Sequence, residues 1–256
     1  MDQGFSFASV ILSYFLVGGG MFTATLASSA LKLTSEIAVA GVLAAGAFAG
    51  GFVAGRASRG RTILEPAIGT IAVVATIVGL AATTPIGKLI WALAQDQTLK
   101  FVGTVGLVGV VGALVGAVLS EKLLGEATQS SIPWLLYTAM SVFGACLLAT
   151  LFASILSFGD NATTRLELGA VILIGIGGGC LIAGLAVGAS ARTRPLLAAL
   201  VGGGLGVAGY FALISRAQPP DKDAMAGLAL FAGAGAIVTL IGTAVGWAAV
   251  GRKHAT

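Results

Sequence analysis

Charge is nearly missing from this chain. Only 9% of its residues are Asp, Glu, Lys or Arg, where a soluble domain carries about 25%. Histidine occurs once, as His254 in the tail, which leaves nothing for histidine-based metal sites or histidine-centred triads. No HExxH, P-loop or GxSxG pattern is present. Cysteine occurs twice, and Cys146 and Cys180 match no metal spacing. Both lie in apolar runs, where inert buried thiols are expected. Every acidic residue falls at or near the end of an apolar run, so no intramembrane carboxylate relay is foreseen. These gaps point away from an enzyme, and no cofactor, metal or nucleic-acid partner is expected.

What remains is apolar. Hydrophobic residues make up 57% of the 256, and mean hydropathy is +1.02. Apolar runs of about 18 residues or more, each long enough to cross a bilayer core as a helix, recur along the whole chain. The polar segments between them are short, so any function sits in the membrane or at its edges. Glycine, at 39 residues, is abundant. Without periodic proline this is not collagen, and without polar bias it is not a linker. Small residues in membrane helices let backbones approach closely.

Eight spans are predicted, over 7–28, 37–55, 66–84, 101–119, 132–158, 168–190, 196–215 and 225–250. The fold class is therefore all-α, a polytopic helix bundle. The first run follows Met1-Asp2-Gln3-Gly4, which lacks Lys and Arg. That is a poor start for a cleaved signal peptide, and a retained span is expected. Residues 85–96 read as a short interfacial helix, with Trp91 at headgroup level and Lys88 snorkelling.

Basic residues set the orientation. The densest clusters, Arg56/Arg59/Arg61 and Arg192/Arg194, fall in alternate loops on one side, with Lys122, Arg252 and Lys253. Placing that side inside predicts both termini in the cytoplasm of a bacterial inner membrane. The same five arginines are the candidate contacts for anionic lipid headgroups or an acidic partner. Glu65, before Pro66, suits a helix start, where a carboxylate complements the dipole.

The chain also reads as a duplication, with repeats over 1–125 and 126–256. Arg59 and Arg61 align with Arg192 and Arg194 at an offset of 133, as Gly55 does with Gly188 and Gly69 with Gly202. Spans four and eight align at 130, pairing Gly112 with Gly242 and Gly116 with Gly246. Spans one and five align poorly. Each repeat holds an even number of spans, so the repeats are parallel, related by an axis along the membrane normal.

Glycine spacing gives the packing signal. Gly103, Gly106, Gly109, Gly112 and Gly116 share one helix face. Gly46/Gly50, Gly51/Gly55, Gly184/Gly188 and Gly242/Gly246 are small-xxx-small pairs. Because span two carries two such pairs, it is expected to be central. Gly204, Gly206 and Gly209 fit GxGxxG, but they follow no strand and lie in an apolar span, so helix packing explains them.

Gly50-Gly51-Phe52-Val53-Ala54-Gly55-Arg56 resembles the GGxxAGR signature of small, uncharacterised four-span bacterial membrane proteins. The resemblance implies a four-span membrane unit, here duplicated, and brings no activity with it. In the second repeat Ala189 stands at the position of Arg56.

Two function classes follow. The first is a non-enzymatic scaffold or accessory subunit, with membrane lipids and other membrane subunits or a second copy as partners. The second is a small-solute or lipid transporter or channel with its site between the repeats. The candidate lining for the second is Ser13, Tyr14, Thr23, Tyr137, Ser141 and Thr150.

Overall fold

The computed structural model describes residues 5–57, 64–124, 131–157, 165–191, 195–215 and 222–251. These residues form eight helices and no strand: α1 (Phe7–Ala30), α2 (Glu36–Ala57), α3 (Leu64–Thr83), α4 (Pro85–Leu124), α5 (Ser131–Ser157), α6 (Arg165–Ser190), α7 (Leu196–Ser215) and α8 (Lys222–Gly251). A helix satisfies its own backbone polar groups, as hydrocarbon surroundings demand. Seven of the eight are long and apolar enough to cross a membrane, and α3 offers a shorter apolar stretch, Leu64–Gly79.

Local signals place the helix ends. Ser6 caps α1, its hydroxyl accepting from the Ser9 amide. Beyond Ala30 the Lys32 amide donates to the Ser29 carbonyl and the Leu33 amide to that of Ser28. This is a Schellman ending with Lys32 in the left-handed region, φ 52°. In α4 a break at Ala94 (φ −147°, ψ 46°) separates Pro85–Leu93 from the long apolar arm. The short piece foreseen over 85–96 is thus a distinct helical segment, with Trp91 40% exposed.

The first four helices pack as a ring in the order α1, α2, α4, α3, and the last four as a ring in the order α5, α6, α8, α7. The rings meet mainly where α1 packs on α5 and α6. The core therefore lies along α1 and α5. In the apolar stretch of α1, 56% of residues are buried, against 28% in α2. This corrects the expectation that α2 is central. It does contact neighbours on two faces, but each glycine pair buries only a narrow stripe, and the rest of the helix faces outward.

Glycine sets how closely the helices approach. Gly46 and Gly50 lie against α1, and Gly51 and Gly55 against α4. Gly112 and Gly116 return the contact to α2, where a Cβ on Gly112 would stand 2.8 Å from the Ala44 carbonyl oxygen. In the second ring Gly184 and Gly188 lie against Thr239 and Thr243 of α8, and Gly242 and Gly246 against Leu181 and Leu185 of α6. Gly103, at the far end of the α4 stripe, has open space instead.

These contacts recur in a fixed register. Gly116 meets Phe48 and Phe52, and Gly242 meets Leu181 and Leu185, so Gly116 and Gly242 occupy matching places at an offset of 126. In these contacts Gly242 is like Gly116, one helical turn beyond Gly112. Glycines four residues apart make both registers plausible from sequence, and only the neighbours separate them. Contacts on α1 and α5 also run alike, at an offset of 125. Gly69 packs on Ser13 and Tyr14 as Gly202 packs on Thr138 and Ala139. Ala24-Thr25-Leu26 then falls on Ala149-Thr150-Leu151.

Gly116→Leu and Gly242→Leu should each lower thermal stability in detergent, because overpacking a close contact costs about 1–3 kcal/mol. Gly103→Leu should leave the melting temperature unchanged. Equal melting temperatures for all three would show that these approaches do not limit the fold.

Candidate functional site

Three polar places stand out in this apolar body. The first is where α1 and α3 begin. Glu65 is fully buried, and its Oε1 accepts the Ser6 amide at 2.8 Å. The carboxylate thereby closes the start of α1 while lying in the first turn of α3, near the positive ends of two helix dipoles. Its Oε2 and the Ser9 hydroxyl, also buried, have no hydrogen-bond partner among the described residues. The expected dipole role is met on two helices, and the burial is new. Nothing in the local sequence shows that Glu65 turns inward against α1.

The second place joins the rings. Arg56, in the last turn of α2, donates to the Tyr137 hydroxyl of α5. Leu12, Leu16, Ala54, Ala57, Ala186 and Val187 pack with Tyr137 into one apolar cluster. Arg56 is therefore partly engaged inside the protein. Arg59, Arg61, Arg192 and Arg194 lie outside the described residues.

The candidate pathway hydroxyls are used internally. Ser13, Thr23, Ser141 and Thr150 donate to the carbonyls of Ser9, Gly19, Thr138 and Cys146 in their own helices, at 2.7, 2.7, 3.0 and 2.9 Å. Tyr14 donates to Thr76 of α3 at 3.3 Å. Between the rings Gly19 lies against Gly144, and Gly144 against the Phe15 carbonyl. Backbone packs on backbone where a path between the halves would run.

The third place is the interior of the second ring, and sequence reasoning passed over it. Cys146 and Cys180, both fully buried, are hydrogen-bonded thiols on α5 and α6. Cys180 also contacts the Thr239 hydroxyl of α8. Thr243 can donate to the Gly184 carbonyl across the α6/α8 contact at 3.1 Å, or to the Thr239 carbonyl at 2.9 Å. Tyr210 of α7 shares a very short hydrogen bond with Thr150. Counted back by the offsets of these contacts, Cys146, Cys180, Thr239, Thr243 and Tyr210 fall on Met21, Ala47, Ala113, Ala117 and Ile77, which are apolar, and Thr150 falls on Thr25. A spacing of 34 residues between the cysteines carries no motif, and only helix packing brings them together.

Beside this cluster lies a crevice of about 230 Å³, lined by residues of α6, α7 and α8. Its floor is Ile176, Cys180, Val207 and Gly235, all buried, and its rim includes Leu173 and Ala234, both exposed. Phe211 and Phe231 stack along one wall with centroids 5.6 Å apart. Among the described residues no group of three or more His, Cys, Asp or Glu is placed to hold a metal ion.

The fold defines a multi-pass membrane helix bundle. No protein-family model, curated protein or solved structure matches the chain.

Replacing Glu65 tests the first place. Glu65→Gln keeps an acceptor for the Ser6 amide and should nearly preserve the melting temperature. Glu65→Leu should cost about 0.5–2 kcal/mol, the range of a lost helix cap. Equal losses in the two variants would show that the charge, not the acceptor, closes α1.

Proposed function

We propose that this protein is a non-enzymatic scaffold or accessory subunit of a membrane complex, built from two parallel four-helix repeats. The observation that carries this reading is the closed contact between the rings. Gly19 and Gly144 are matching positions at the 125 offset, and they touch each other. Equivalent residues meet in this way on a twofold axis. A transporter of parallel repeats would keep its site near that axis, lined by free polar groups. Here the hydroxyls closest to it are committed to carbonyls of their own helices.

Duplication is supported by the repeated ring order and by the offsets, near 125, 133, 133 and 126 for successive helix pairs. It is also supported by paired hydrogen bonds: Thr25 donates to the Met21 carbonyl as Thr150 donates to that of Cys146. The halves then correspond to 1–125 and 126–256.

A scaffold also needs faces its own helices leave open. Gly41, Gly79, Gly103, Gly227 and Gly233 lie on helices, and a Cβ added to any of them would meet nothing. All five fall toward the helix ends opposite the Arg56 and Glu65 side. Small residues there let the backbone of a partner helix come close. The arginine clusters orient the chain with both termini inside a bacterial cytoplasmic membrane and offer contacts to anionic headgroups.

Replacing Ser13, Ser141 and Thr150 together by Ala should leave membrane levels and co-purifying partners unchanged, since hydrogen bonds between membrane helices average about 0.6 kcal/mol. Gly103→Leu should fold normally and lose partners. A stable triple variant with the phenotype of a full deletion would replace the scaffold by a polar pathway.

Orientation has its own test. Lys32→Cys, in the exposed turn after α1, should react with an impermeant maleimide on intact cells, and Ser58→Cys should not. The opposite pattern would invert the topology.

A further inference from the structure

The second ring buries two thiols that its packing does not ask for. Counted back by the same offsets, Cys146 and Cys180 fall on Met21 and Ala47, which close the first ring without a thiol and are themselves buried. Cys146 and Cys180 are both 0% exposed, belong to one core cluster and share a hydrogen bond between α5 and α6. A disulfide needs its two Cβ atoms about 3.5–4.5 Å apart. Next to the pair, a Cβ on Gly179 would stand 3.0 Å from that of Ala145. One turn away, a Cβ on Gly175 would stand 3.2 Å from that of Ala149. Glycine has thus brought α5 and α6 as close as a bond between them requires.

Burial decides what can oxidise this pair. An unpaired charge in an apolar interior is costly, and an oxidant that takes electrons alone leaves two protons behind. The transfer that leaves no charge moves two electrons and two protons together. Quinones accept that set, and they are neutral and lipid-soluble. Cys180 borders the crevice between α6, α7 and α8, so it is the thiol that a molecule arriving from the lipid meets first. Thiol attack needs thiolate character on the sulfur. The Thr239 hydroxyl beside Cys180 donates to the Gly235 carbonyl at 2.7 Å. Turned toward Cys180, its single proton steadies the charge that grows on the attacking sulfur.

We propose that Cys146 and Cys180 are a redox pair, oxidised to a disulfide by a lipid-soluble quinone, with Cys180 as the attacking thiol. The Cys180 sulfur bonds to the quinone ring, and its proton passes to one quinone oxygen. The Cys146 sulfur then bonds to the Cys180 sulfur. The carbon–sulfur bond breaks with its electron pair going to the ring, and the Cys146 proton passes to the other oxygen. Two thiols and one quinone become one disulfide and one quinol, and no net charge is left. The new bond ties α5 to α6 inside the second ring. The inference goes beyond the scaffold reading and needs only membrane insertion.

The test uses the full chain, purified under reductant and placed in phosphatidylethanolamine/phosphatidylglycerol vesicles, with the reductant then removed. Duroquinone is the probe, because its fully methylated ring has no hydrogen to lose and keeps no thiol adduct. Non-reducing digestion and mass spectrometry should find the Cys146 and Cys180 peptides joined, with one quinol formed per disulfide. Ferricyanide, a charged one-electron oxidant, should join them several-fold more slowly. Thr239→Val should slow the duroquinone reaction several-fold without changing its final yield. Cys146→Ala should form neither disulfide nor quinol. No joined peptide in the unaltered chain would overturn the redox pair, and so would quinol formation by Cys146→Ala. Equal rates with ferricyanide would overturn the uncharged transfer. An unchanged rate in Thr239→Val would overturn the role of its hydroxyl. Partner capture by the same preparations reports on the scaffold role separately.

Discussion

The structure depends on how closely two helix backbones can approach without a side chain between them. In hydrocarbon there is no hydrophobic force to press apolar helices together, and packing has to supply the attraction. Contact at backbone distance multiplies small dispersion terms. Gly51 against Ala113 and Gly184 against Thr239 are the same solution in the two rings. Gly19 against Gly144 is the solution between them. The ring order, the placing of α1 and α5 at the core and the closed central contact all follow from where glycine permits this approach.

Against that shared frame, the two rings differ in what they enclose. The first is packed with Met21, Ala47, Ala113 and Ala117, and needs no polar group at those points. The second replaces them with Cys146, Cys180, Thr239 and Thr243. Packing alone does not ask for these changes, since the first ring is closed without them. Buried polar groups are tolerated here because each finds a partner: thiol with thiol, hydroxyl with carbonyl.

The polar groups near the ring interface behave differently. Ser13 and Ser141 bond back into their own helices, which occupies the single donor of each hydroxyl. Arg56 and Glu65 lie on one side of the bundle, the first tied to Tyr137 and the second to the Ser6 amide. Charge that could fix orientation also pins α2 to α5 and α3 to α1. Ring assembly therefore uses charged residues at this end, whereas Gly41, Gly79, Gly103, Gly227 and Gly233 leave open space toward the opposite one.

The sequence by itself determined the class of object. Long apolar runs make membrane helices because only helices and closed barrels satisfy their backbone in lipid and barrel strands are about half as long; the run lengths placed most helix ends to within a few residues, α4 excepted. The break near Ala94 was legible from Pro85, Lys88 and Trp91. Helical periodicity also showed which glycines share a face, because that is a property of one helix. Which helix meets that face is a property of two, and tertiary structure alone decided it. Glycines one turn apart at 112 and 116 left the register ambiguous. Gly103 shares their face yet meets nothing. Glu65 reads as a helix-start acid until α1 is laid across it. Cys146 and Cys180 are 34 residues apart and become neighbours only when α5 and α6 pack.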